Sequence, residues 1–391
     1  MTFAMENLQK LIPSLPVWQI ALPIGISFYT FQGLSYVIDV YRDGGKSVQK
    51  NPCKLALYIS MFPQLIAGPI VRYKDIALQL DTRTHSAEKF ADGVTRFVTG
   101  LAKKAILANM TGALADSIMQ GDFSVMSASV AWLGAIAYTL QIYLDFSGYS
   151  DMAIGLGKMF GFTFLENFDH PYIATSVREF WRRWHISLGE FFRENVFYPV
   201  STSALFLKLN TAGRKRFGNE WGRNIASCLP ILCVWILTGV WHGANWNYIG
   251  WGVYHGILIC LSAMFEQPIK NLMEKAKINT DHMAFQVFQM LRTFFLCLIG
   301  RLIFLGNGLS ESFYMIGSAF CRPQAAYTMK LFVLRRKEWA FVLVCMLLLF
   351  AVSIAQEILE RRGIDITIRD WLGSRNVIFR LSLIHISEPT R

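Results

Sequence analysis

Two histidines carry the chemistry this sequence can offer, and each stands in an unusual setting. His242 ends the apolar run LPILCVWILTGVWHG, between Trp241 and Gly243. An ionisable side chain at membrane depth is costly and marks a functional site by default. Burial disfavours the charged form of an imidazole, and a neutral imidazole is what a general base requires. A hydrogen-bonded core histidine is the competing reading, and the residue alone leaves the two balanced. His185 belongs to residues 175–195, a stretch both polar and aromatic. At about 100° per residue, Arg178, Arg182, His185, Gly189 and Arg193 share one helical face, with Trp181, Trp184, Leu188 and Phe191 roughly perpendicular. A third face holds Glu179, Arg183, Glu190 and Glu194, with Glu179 and Arg183 an i,i+4 pair. The pattern predicts one amphipathic helix lying along an interface or across the interior, its arginines able to grip a phosphate, a carboxylate or lipid headgroups; by itself His185 reads as a solvated interfacial histidine, a balance that the neighbouring arginines shift.

Asp145 and Asp151 bracket DFSGYSD, directly after an apolar run, with Ser147, Tyr149 and Ser150 between them. They could shape a polar pocket, but Asp, Ser and Gly are ordinary helix-terminus residues, and spacing alone favours a capped turn. His255, in WGVYHG, reads as packing or support for His242. The histidines at 85, 170, 282 and 385 carry no pattern. There is no HExxH site, no GxSxG elbow and no Walker loop, and the glycines of GLGKMFG (155–161) are not a dinucleotide fingerprint.

The elements that must position these residues belong to a membrane chain. Of 391 residues, 53% are hydrophobic, 14% aromatic and 17% charged, and the mean hydropathy is +0.34. Apolar stretches recur at 17–40, 55–71, 127–146, 225–240, 246–265, 285–305 and 339–355. Runs of about 20 such residues cross a bilayer as helices, because lipid offers backbone groups no partners. Pro63, Gly68 and Pro69 interrupt the second, which predicts a re-entrant or broken segment. Charged connectors are expected at 41–50, 72–89, 207–223, 267–281 and 331–338. Those holding Arg214-Lys215-Arg216 and Arg335-Arg336-Lys337 belong on the cytoplasmic side. The net charge of +11 suits an anionic leaflet, and no nucleic-acid signature accompanies it. Seven cysteines include no CxxC pair, so neither disulfides nor zinc is expected.

Six segments in order resemble the membrane-bound O-acyltransferase family, in its bacterial branch that acetylates alginate and other exopolysaccharides and alanylates teichoic acid: LPIGISFYTFQ (22–32), FPQLIAGPIVRY (62–73), QIYLDFSGYSDMAIG (141–155), NFDHPY (167–172), EFWRRWHISLGEFFRENVFYP (179–199) and GVWHGANWNYIGWGVYHG (239–256). The resemblance implies an all-α polytopic fold, a ring of membrane helices around a thinned centre with re-entrant and interfacial helices. It implies His242 as catalytic base and His185 as the second essential histidine, orienting the acceptor or donating a hydrogen bond. Arg178, Arg182, Asp145, Asp151, Asn245, Trp241 and Tyr149 become candidate substrate contacts, with Asn245 or tryptophan side chains as candidate oxyanion donors. No permanently bound cofactor is implied; the acyl donor, acetyl-CoA or an acyl carrier protein, is a substrate. The implied setting is the bacterial inner membrane, with a polysaccharide acceptor and an SGNH-type acetyltransferase partner. The chain departs from the family before LPIGISF, where further spans are usual, and at the tail. This reads as a truncated gene, with residues 1–380 one membrane domain and 381–391 a foreign tail. A transporter, or an inert subunit of a polysaccharide export complex, is the rival reading.

Overall fold

The computed structural model describes Ile12 and residues 25–119, 127–243, 245–306, 308–321 and 336–363. The start of the 17–40 stretch, Ala244 and the tail at 381–391 lie outside them. They fall into two units, residues 1–333 and 334–391. In the first, α1 (Ile26–Arg42), α2 (Pro52–Ile59), α3 (Tyr73–Thr82), α4 (Ala87–Ala102) and α5 (Asn109–Met119) precede the long α6 (Ala128–Met159). The short α7 (Val177–Arg183), α8 (Ile186–Phe192) and α9 (Tyr198–Ser201) come next, then α10 (Ala204–Phe217), α11 (Asn219–His242), α12 (Trp246–Lys275), α13 (Met283–Leu305) and α14 (Leu309–Cys321). The second unit holds α15 (Arg336–Arg361). Among the described residues there is no strand, only an isolated bridge between Phe168 and Trp184.

Among the described residues three helices, α11, α12 and α13, are long and apolar enough to cross a membrane. Their exposed Ile236, Leu237, Val240, Ile257, Leu261 and Leu291 suit lipid better than water. The 55–71 stretch is broken as expected: α2 ends at Ile59, a 3-10 turn covers Phe62–Gln64, and the chain then runs irregularly to α3.

The charged connectors are more helical than expected. Residues 207–223 are the end of α10 and the start of α11, reversed at Gly218 with φ 83°. The basic triplet Arg214-Lys215-Arg216 occupies the last turn of α10, where the helix dipole favours cations. The 267–281 connector is mostly helix too, since α12 continues past Pro268 to Lys275.

DFSGYSD is likewise helix interior: α6 runs 32 residues, through both Asp145 and Asp151. Its glycines meet those of α4. A Cβ on Gly100 would lie 2.4 Å from the Gly148 carbonyl oxygen, and one on Gly155 2.6 Å from that of Gly93. On each helix the two glycines are seven residues, two turns, apart, so the helix backbones touch along a seam that no larger side chain permits. Asp145 pairs with Lys104, while Asp151 meets Arg96 at 2.8 Å and Lys103 at 2.7 Å. A π-helical segment at Lys103–Ala108 carries both lysines.

Gly100→Leu is expected to destabilise the protein by about 1–3 kcal/mol, as overpacking does. Gly33→Ala, with nothing within 4 Å of the new carbon, should be neutral or slightly stabilising. Thermal unfolding in detergent compares them, and equal midpoints for the two variants would refute the seam.

Candidate active site

Residues 175–195 do not form one helix. Ser176 caps α7 by accepting from the Glu179 N–H at 3.1 Å, the helix stops at Arg183, and His185 takes the left-handed conformation (φ 48°, ψ 55°) before α8 begins. The break survives because the 167–169 segment supplies the lost backbone partners. The Asp169 N–H donates to the Arg183 carbonyl at 2.9 Å, and the Ile186 N–H donates to the Asn167 carbonyl at 3.0 Å. The Glu179–Arg183 pair forms as expected, at 3.0 Å.

The Asn167 side chain then sets the chemistry of His185. Its Oδ1 accepts from the Ser187 backbone N–H at 3.2 Å and the Ser187 hydroxyl at 2.9 Å, and lies 3.0 Å from His185 Nδ1. A backbone N–H can only donate, so the atom facing it is oxygen and His185 Nδ1 must carry a hydrogen. The remaining nitrogen, Nε2, is therefore a lone-pair acceptor; it is buried and has no protein partner. The imidazole is only 4% exposed, and burial, reinforced by nearby His242, holds its pKa well below the ordinary histidine value. Ser187 extends the chain, its hydroxyl accepting from the Ile70 N–H at 2.9 Å and so tying the broken segment to the site.

His242, on the last turn of α11, is accessible despite aromatic rings close on three sides: Trp241 at 4.6 Å, Trp251 at 4.9 Å and Phe304 at 5.2 Å between centroids. Trp241 also touches His185, at 5.9 Å, so a single indole lies against both histidines. His255 supports the arrangement from α12: its Nδ1 accepts from Trp181 Nε1 at 3.2 Å, and its ring packs on Trp251.

The other sequence candidates are placed differently. With the helix broken, Arg178 and Arg182 no longer share a face with His185. Arg178 pairs with Glu266 at 3.2 Å, and Arg182 is exposed. Asp145 and Asp151 are held by the basic residues of α4 and the π segment. Tyr149 is half-buried on α6. Asn245 caps α12, its Oδ1 accepting from the Trp246 N–H at 2.7 Å. Three residues went unremarked in the sequence as site members: Asn167, Trp251 and Arg301. Arg301 is a buried cation on α13 whose guanidinium lies 4.9 Å over the Trp184 ring. An arginine inside an apolar run was the available signal for it; nothing local marked Asn167.

Removing the acceptor should loosen this corner. Asn167→Ala is expected to cost about 1–3 kcal/mol, the usual consequence of stranding buried donors, whereas Asn167→Asp keeps an oxygen there and retains most of the stability. Unfolding midpoints read the difference, and equal losses would show that the acceptor oxygen is not what matters.

Residues 47–213 match the family model described as MBOAT, membrane-bound O-acyltransferase family. The chain is 42% identical over 304 residues to the probable alginate O-acetylase AlgI of Pseudomonas syringae pv. tomato, covering 77% of this chain and 52% of that protein. It is 32% identical over 275 residues to the peptidoglycan O-acetyltransferase of Helicobacter pylori, covering 64% and 49%. With the teichoic acid D-alanyltransferase of Bacillus subtilis it shares 28% over 258 residues, covering 62% and 60%. The chain thus spans about half the length of the curated relatives it matches. Asn167 and His185 fall inside the family match and His242 beyond it. Residues 47–213 thus carry the match to the membrane-bound O-acyltransferase family.

Proposed function

We propose that the protein is a membrane O-acyltransferase that moves an acyl group, acetyl, from a cytosolic thioester to hydroxyls of an extracytoplasmic polysaccharide. One observation carries this reading: an accessible histidine and a buried histidine with a free lone pair lie against the same indole. That is the equipment for moving a proton during acyl transfer. The likeness to an alginate O-acetylase and a peptidoglycan O-acetyltransferase favours acetyl and a polysaccharide. The donor in this reading is acetyl-CoA or an acyl carrier protein. The setting is the bacterial inner membrane, with helices ringing a thinned centre and an SGNH-type acetyltransferase as partner on the far side.

In this mechanism His242, being accessible, meets the acceptor hydroxyl and takes its proton as the oxygen attacks the thioester carbonyl. The new C–O bond forms, the tetrahedral intermediate collapses, and the C–S bond breaks. The departing thiolate takes the proton back from the imidazolium, leaving an ester and a free thiol. His185 acts through Nε2 as an acceptor, holding an N–H or O–H of the reacting groups. With Asn167 on Nδ1, donation from Nε2 is not available to the neutral ring.

The test uses the full-length gene in a strain lacking its own copy, with exopolysaccharide ester measured at matched membrane abundance. His242→Ala and His185→Ala should each lower ester formation by about 10²–10⁴-fold, the range for losing a proton-transfer group. Unchanged ester in His242→Ala would leave a transporter or an inert subunit as the better description.

A further inference from the structure

Acyl transfer needs a second device besides a base: donors aimed at the carbonyl oxygen as it becomes an oxyanion. Asn245 caps α12 through its Oδ1, which accepts from the Trp246 N–H. Two other donors stand beside His242. Trp241 Nε1 and Trp251 Nε1 are both buried and both lack a protein partner, and both indoles touch the His242 ring. An indole nitrogen is donor only. Leaving one unpaired in an apolar interior is costly, so two beside one accessible imidazole are a notable concentration of unmet donors.

We propose that the indole N–H groups of Trp241 and Trp251 form the oxyanion hole of this site. The inference rests on the acyl-transfer reading above and adds the groups that receive the negative charge. As the acceptor oxygen attacks, the carbonyl π pair moves onto oxygen, and the two N–H groups donate to it; on collapse the pair returns and the thiolate leaves. Both donors are fixed in advance. Trp251 is 1% exposed and wedged among Trp181, Trp235, His255 and Phe304. Trp241 is braced by Phe28 and Phe31 of α1.

The experiment compares Trp251→Phe and Trp241→Phe with Trp235→Phe in the full-length protein, reading the initial rate of polysaccharide ester formation at matched membrane abundance. Trp235 packs in the cluster of Trp251 and its Nε1 is not among the buried unpartnered atoms, so its variant measures the effect of lost packing. The expected result is a drop of about 10²-fold for each of the first two, and a much smaller one for Trp235→Phe. If all three fall equally, or if Trp251→Phe and Trp241→Phe keep their rate, the oxyanion assignment is wrong. His242→Ala in the same assay separates the failures. Should it abolish ester while the tryptophan variants do not, only the oxyanion hole falls; should it keep full ester, the acyl-transfer reading falls with it.

Discussion

The left-handed turn at His185 is the constraint on which the site depends. A non-glycine residue in that region is strained by roughly 1–3 kcal/mol, and ending a helix inside a protein leaves backbone groups that must find partners elsewhere. Here the partners are supplied by residues 167–169, which bond to both sides of the break. The same turn that costs the strain aims the imidazole at Asn167 and sets it between Phe146, at 4.7 Å, and Trp241. Had the helix continued, His185 would have stayed on the face of Arg178 and Arg182. Breaking it moves the one titratable group of that face into the interior and leaves the arginines outside.

Phe146 is placed by α6, and α6 is placed by contacts of a different kind. The glycine seam with α4 brings two backbones together, and Arg96, Lys103 and Lys104 neutralise Asp145 and Asp151 across the join. These partly buried pairs contribute less to net stability than their number suggests, because desolvation offsets attraction. Their clearer effect is on register. Sliding α6 by one residue would drive side chains into the seam and separate five charges from their partners.

What the sequence made legible follows the range over which each signal acts. Hydropathy is a local sum, and the stretches at 225–240, 246–265 and 285–305 are membrane-compatible helices. Proline and glycine act on their own backbone, and the broken segment at 55–71 was readable for that reason. The 175–195 segment misled because its 3.6-residue period is intact through the break. The competitor for its backbone is the segment around Asn167, 18 residues upstream of His185, and no local pattern reports it. DFSGYSD misled in the opposite direction. Its composition is that of a cap, yet the glycines serve packing and the aspartates serve ion pairs, so tertiary contacts override the local preference.

Three of the buried polar atoms left without a partner among the described residues border the two histidines. Proteins pair nearly all of their buried polar atoms, and a membrane interior, with no water to compensate, makes each exception more costly. Yet His185 Nε2, Trp241 Nε1 and Trp251 Nε1 are all unpartnered; the two indoles touch the His242 ring, and His185 touches Trp241. The set holds one acceptor and two donors, and it is held rigidly by Asn167 on one side and by packed aromatic rings on the others. Rigid, complementary and unmatched, they make better sense as partners for a molecule that brings its own donor and acceptor, as a hydroxyl and a thioester carbonyl do.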